Sequence, residues 1–255
     1  KMPITEEEIM AFEQPRNKQE FGDIEAQIFR QIDTLVNSVE TRIEAMRMEV
    51  LTKGKITVKE NNLDAEIEYH VPEENQEILT GDDLWTNDDS DPIKDMLSWI
   101  EVLPVKPTRA LTSNTVLMTL LQHPKVKSYS NFGGGILPIV QLDAILEQFG
   151  LPVIRTYDEV YRKQNLDGSY ESLRYFDKDY FVMFGDQPLG ETIYGTTPEE
   201  VRLMRDSSID TSLYGNVLAM VYEENLDPVS TWVKAVATAL PSFPFADEVF
   251  QAKVI

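Results

Sequence analysis

The chain has 255 residues, 42% of them hydrophobic and 9% aromatic, which is enough for a packed core and too apolar for wholesale disorder. Its 23 Lys and Arg face 44 Asp and Glu, and a net charge of -21 argues against a broad nucleic-acid or anionic-membrane surface. The absence of cysteine removes disulfides, thiolate metal sites and a cysteine nucleophile, and no apolar run approaches the roughly 18 residues that span a bilayer.

Residues 1–22 are polar, carry Pro3 and Pro15, and read as an arm or connector without the apolar centre of a signal peptide. A chain that opens on Lys1 before Met2 reads as a fragment or a processed product. Ile24, Ile28, Ile32, Leu35, Val39, Ile43, Met46 and Val50 then recur at a mean step of about 3.7, one apolar stripe on an α-helix over 24–53. Asp23 is its expected N-cap and Gly54 its stop. The 4-4-3 spacing fits an 11-residue repeat better than a heptad, so the helix is expected to lie across a sheet rather than in a left-handed zipper.

The period next falls to two. Ile56 and Val58, then Ala65, Ile67, Tyr69 and Val71, predict a β-hairpin over 55–71 turning at Asn61-Asn62. Residues 73–91 read as an acidic loop. Three capped helices follow: one opened by Asp91-Pro92 with Ile93, Met96, Leu97 and Ile100 on one face, one opened by Ser113 or Asn114 and stopped by Pro124, and one from Pro138 to Phe149 closed by Gly150. The remainder is mostly strand: 153–157, a hairpin around residues 165–168, a wholly apolar strand at 181–184, and segments 213–223, 231–240 and 248–255. A short helix opens at Thr197-Pro198-Glu199-Glu200.

No reactive constellation stands out. His70 and His123 lack partners at metal-ligand spacing and read as polar surface or caps. Gly133-Gly134-Gly135 has no following Lys-Ser/Thr, so it fails as a phosphate loop. Asn165, Asp167 and Gly168 mimic part of an EF-hand, but Lys163 and Arg174 fall where carboxylates are required. Asp82, Asp83, Asp88 and Asp89 are the one place for a hard cation, and a carboxylate run without fixed geometry is weak evidence for one. The reading therefore expects no catalytic residue, no metal and no cofactor.

Charge is the more informative pattern. Residues 60–101 hold 14 carboxylates and one cation, Lys94, whereas 102–130 hold Lys106, Arg109, Lys125 and Lys127 and no acid. Adjacent blocks of opposite sign suit contacts between copies of one molecule, with Asp82, Asp83, Asp88 and Asp89 on one side and Arg109, Lys125 and Lys127 on the other. The plainer alternative is a solvated acidic surface beside a basic helix end.

The order of segments carries a further signal: Lys53-Gly54-Lys55-Ile56-Thr57-Val58, Leu120-Leu121-Gln122-His123-Pro124, Phe149-Gly150-Leu151-Pro152, then Pro188-Leu189-Gly190-Glu191-Thr192-Ile193-Tyr194-Gly195 and Leu240-Pro241-Ser242-Phe243-Pro244. This series resembles the lambda-type major capsid protein (capsid protein E) family of tailed bacteriophages, which has the Hong Kong 97 fold. The resemblance implies an α+β protein whose peripheral domain holds a long spine helix on a sheet and whose axial domain sets helices on a mixed sheet. On this chain that places the peripheral domain at 23–90, the axial domain at 91–210 and strands returning to the peripheral sheet at 211–255.

The same resemblance implies a non-enzymatic virion protein, assembled in the bacterial cytoplasm from copies of itself in pentamers and hexamers. An icosahedral shell would then enclose double-stranded DNA without sequence-specific binding and without a membrane, with head-decoration or scaffolding proteins and the portal as further partners. Family members carry an arm and an extended loop before the spine helix, and only about 22 residues precede Ile24 here. The rival reading is a small acidic α/β enzyme or a Ca²⁺-dependent module centred on Asp82–Asp91.

Overall fold

The apolar stripe folds as helix α1, Lys18–Lys53, in a computed structural model that describes residues 1–5, 9–10, 18–60, 63–130, 134–165, 167–203, 210–224 and 230–255. The helix begins upstream of the expected cap at Asp23, because Lys18, Gln19 and Glu20 are good helix formers and extend it. It ends where expected. Gly54 takes φ +65°, its N–H donates to the Val50 carbonyl at 2.8 Å, and a Cβ there would meet Val71 Cγ2 at 2.7 Å. The Asn61-Asn62 turn, residues 131–133 of the glycine loop, Leu166 and most of the polar stretch 6–17 lie outside the described residues.

The chain forms two compact units. The first holds residues 1–43 and 192–240. Met2–Ile4, read as arm, is strand β1, antiparallel to β13 (Ser230–Val236), and Pro3 fits there because β1 is an edge strand. The expected single strand over 213–223 is a hairpin, β11 (Asp210–Tyr214) and β12 (Val217–Glu224), broken at Gly215 with φ +60°. The sheet order is β1-β13-β12-β11. Ile32 and Val36 of α1 pack with Ile4, Val217, Ala219 and Val233, so the long helix lies on this sheet by its stripe. Strands β10 (Thr192–Gly195) and β14 (Thr238–Pro241) pair as a separate ribbon. Helix α6, Pro198–Leu203, opens on a reciprocal capping box in which Glu200 N–H donates to Thr197 Oγ1 (3.1 Å) and Thr197 N–H to Glu200 Oε2 (3.3 Å).

The second unit holds residues 44–191 and 241–255 around a mixed five-stranded sheet, β4-β15-β9-β5-β6. Its strands are β4 (Gln76–Ile78), β5 (Arg109–Thr112), β6 (Val153–Thr156), β9 (Tyr180–Phe184) and β15 (Phe250–Lys253). The central strand β9 is buried on both faces, as its unbroken apolar run implies: Phe181 and Met183 join one core and Val182 the other. The first core is covered by α2 (Pro92–Val102), α3 (Asn114–Gln122) and α5 (Ile139–Phe149), the three capped helices of the sequence.

The second core takes Val50 and Leu51 from the end of α1 and Ile56 from the hairpin β2–β3 (Lys55–Glu60, Leu63–Glu68). Gln251 closes that end, its Nε2 donating to the Val50 and Leu51 carbonyls at 3.0 and 2.8 Å. Val50 also accepts from Gly54 N–H, and Leu51 is one of the last-turn carbonyls that a helix terminus leaves without an intrahelical partner. Several short elements were not anticipated, β5 and β10 among them. Pro124, read only as a stop, occupies the first turn of a further helix α4 (Pro124–Ser128), and the acidic stretch contains β4. The exposed hairpin of β7 (Val160–Gln164) and β8 (Tyr170–Arg174) completes the unit.

Candidate functional site

The acidic segment is a fixed turn. Trp85, fully buried, donates its backbone N–H to the Val254 carbonyl (2.9 Å) and its indole N–H to Asp95 Oδ2 (2.9 Å). Its ring stacks on Trp99 at 5.7 Å and meets Phe181 edge-on at 5.1 Å, while Trp99 stacks on Phe250 and donates to the Glu77 carboxylate. Around this anchor Asn87 Nδ2 donates to Asp82 Oδ1 (3.1 Å), and Asp89 N–H to Asn87 Oδ1 (3.0 Å). The carboxylates of Asp82, Asp83, Asp88 and Asp89 all face solvent. Among the described residues no group of three or more His, Asp or Glu is placed to hold one metal ion.

Asp95, like Asp91, is half-buried. Burial raises its pKa above the usual aspartate range, the charges of Glu77, Asp91 and Asp83 add to the rise, and the Trp85 hydrogen bond opposes it.

Helix α4 lies against this turn, and His123 makes the join. Its Nδ1 accepts from Lys125 N–H at 3.2 Å and so carries no proton. The proton therefore sits on Nε2, which is 2.9 Å from the Asn87 carbonyl and 3.1 Å from Ser90 Oγ. At 3% exposure this ring is an N-cap and a tether at once. At the other end of α4, Tyr129 donates its hydroxyl to Asp91 Oδ2 (2.9 Å) while Asp91 Oδ1 caps α2 through Lys94 N–H. The acidic and basic blocks are thus neighbours within one subunit. Lys125 is exposed and Lys127 half-exposed, and among the described residues neither forms an ion pair.

Arg109 stands apart from them at the start of β5. Its Nε and Nη2 donate to the Gly185 carbonyl at 3.1 and 2.7 Å, Asp186 lies 3.4 Å from Nε, and the guanidinium covers the Phe184 ring. Those contacts tie the sheet to the turn after β9. The EF-hand mimic is a hairpin turn in which Asp167 Oδ1 accepts from Ser169 N–H and Oγ–H. His70 is exposed with φ +52°.

One surface escaped the sequence reading. Ile136 and Ile139 are 52% exposed and Val140 78% exposed at the start of α5, which the Leu137 N–H to Leu121 carbonyl bond (2.9 Å) ties to the end of α3, three residues before α4 begins at Pro124. The signal was present for Val140, which falls off the Leu142, Ile145, Leu146 face that enters the core, whereas Ile139 shares that face by spacing and is exposed as the helix's first residue.

The two sequence fingerprints meet at a crossing. A Cβ on Gly190 would lie 2.1 Å from the Ser242 carbonyl oxygen. Ser242 N–H donates to the Glu191 carbonyl (2.7 Å), Glu191 N–H to Ser242 Oγ (3.0 Å), and Ser242 Oγ–H to the Glu191 carbonyl (2.9 Å).

Comparison with known proteins agrees with this architecture. The family model for phage major capsid protein E matches residues 1–254. Among solved structures, a protein assigned as the capsid protein of a prophage of E. coli CFT073 superposes with a TM-score of 0.66 at 16% identity, covering 95% of this chain and 72% of that one. A phage-related protein from Bordetella bronchiseptica RB50 gives 0.55 at 14% identity, covering 98% and 72%. At these identities the likeness is one of fold. No curated protein matches the sequence.

Proposed function

Since the chain belongs to the phage major capsid protein E family, we propose that it is the shell-building subunit of a tailed-bacteriophage or prophage head. Many copies, grouped as pentamers and hexamers, tile an icosahedral shell that encloses double-stranded DNA. The whole-chain family match carries this reading, and the solved capsid fold supports it. A shell needs no strong pairwise contact, because each subunit engages several neighbours and their effective concentrations multiply the weak affinities. A net charge of -21 suits a container whose wall must release its DNA.

In this reading α1 is the spine helix, its sheet β1-β13-β12-β11 is peripheral, and the five-stranded sheet with α2, α3 and α5 is the axial part. The protein would assemble in the bacterial cytoplasm and reside in the virion, where scaffolding or decoration proteins and the portal are its further partners. No described helix is long and apolar enough to cross a membrane. Electron microscopy of the purified protein tests the reading, with rings or closed shells as the expected result. Monomers alone at every concentration, together with stoichiometric Ca²⁺ uptake in calorimetry, would replace it with the binding-module alternative.

A further inference from the structure

Copies of a protein carrying -21 charges repel one another, and screening acts only beyond about 8–10 Å at physiological ionic strength. A contact between copies therefore needs at least one face free of carboxylates. Residues 102–142 contain none, although the chain has 44. Part of that stretch's exposed surface lies on α4, with two cations that have no ion partner among the described residues, and on the start of α5, with the exposed aliphatic side chains Ile139 and Val140. The two elements are joined through the end of α3 by the Leu137–Leu121 bond. The acidic turn beside α4 is held by Trp85 and His123, so little conformational freedom is lost when it docks.

Building on the capsid reading, we propose that the strip of α4 and the α5 start is the seat for the acidic turn of a second copy of this chain. Lys125 and Lys127 meet Asp88 and Asp89 of the neighbour, and Ile139 and Val140 form the apolar centre of the contact. The geometry favours a protein occupant over nucleic acid, since two lysines beside a row of carboxylates make a poor phosphate track.

Charge exchange tests the pairing on the full chain. K125E/K127E and D88K/D89K should each weaken self-association in sedimentation velocity by about tenfold at about 50 mM salt, with a smaller effect at about 500 mM. The fourfold variant K125E/K127E/D88K/D89K restores complementarity and should recover wild-type association, as should an equimolar mixture of the two double variants. V140D should weaken association with no recovery from charge exchange.

All four positions are exposed or half-exposed, and an unchanged circular-dichroism melt confirms the fold of each variant. Wild-type association in both double variants, or a fourfold variant as weak as its parents, overturns the contact and leaves the capsid reading standing. A wild type that never associates overturns both. Salt-sensitive retention of DNA that K125E/K127E abolishes, with self-association unchanged, would assign the strip to nucleic acid instead.

Discussion

Replacing Gly190 by alanine should be among the costliest small substitutions in the chain. Its φ is unexceptional, so space alone excludes a side chain there. The new Cβ would sit 2.1 Å from the Ser242 carbonyl oxygen, 2.8 Å from the Ser242 carbonyl carbon and 3.1 Å from Pro244 Cδ. Two of those atoms are backbone and cannot rotate away. Relief requires the segments to part by about 1 Å, which breaks or strains the three hydrogen bonds between Glu191 and Ser242. At a net value near 1 kcal/mol each, the loss is about 3 kcal/mol. For a protein of this size that lowers the melting temperature by about 6–12 °C in scanning calorimetry. Ser242→Ala is the control: it removes the two bonds made by Oγ without a clash, and should cost about 2 kcal/mol. A Gly190→Ala protein melting within about 2 °C of wild type would refute the crossing as the source of the constraint.

Val36→Asp puts a carboxylate among Ile4, Val217 and Val233, and a melting curve should show several kcal/mol lost or no cooperative transition in the 1–43/192–240 unit. Asp95→Asn keeps an acceptor for Trp85 and removes a carboxylate whose pKa is raised. The folded state holds that proton more tightly than the unfolded chain, so wild type regains its stability as pH falls below the raised value. The Asp95→Asn variant should therefore be the more stable at neutral pH, and its gain should vanish in acid titrations followed by denaturant melts. The Tyr157 phenol, pushed up to about 12 by burial and then by the Glu44 charge, favours the fold below pH 10 and loses that contribution as pH rises through 12. Tyr157→Phe should remove one late-ionising phenolate from an absorbance titration and soften alkaline unfolding.

Strong periodicity made the fold legible where an element is long. The α1 stripe, the capped helices α2, α3 and α5, and the two-sided burial of β9 all follow from spacing that packing then honours. Short elements did not announce themselves. Strand β5 is four residues set just after Pro107, β4 is three residues inside an acidic run, and they acquire strand geometry from their neighbours, β5 from β9 and β6 and β4 from β15. Asp23 misled because a capping signal is local, whereas the helix formers before it extend the helix regardless.

Charge blocks could be counted in the sequence, but their juxtaposition could not. The bond from His123 to the Asn87 carbonyl spans 36 positions and exists only because Trp85 fixes the turn from the core side. The clustering of cations was visible, yet Arg109 is bound to its own sheet while Lys125 and Lys127 remain available. What distinguishes them is tertiary: a planar guanidinium at a strand start finds a carbonyl and an aromatic face, and the two ammonium groups on the short helix α4 find no ion partner among the described residues. The family resemblance was legible for a different reason. At Gly190 and Ser242 two segments cross so closely that one residue must lack a side chain and the other must bridge the backbones. The steric demand at Gly190 and the bridging hydrogen bonds of Ser242 give both segments of the resemblance a physical role in holding the fold.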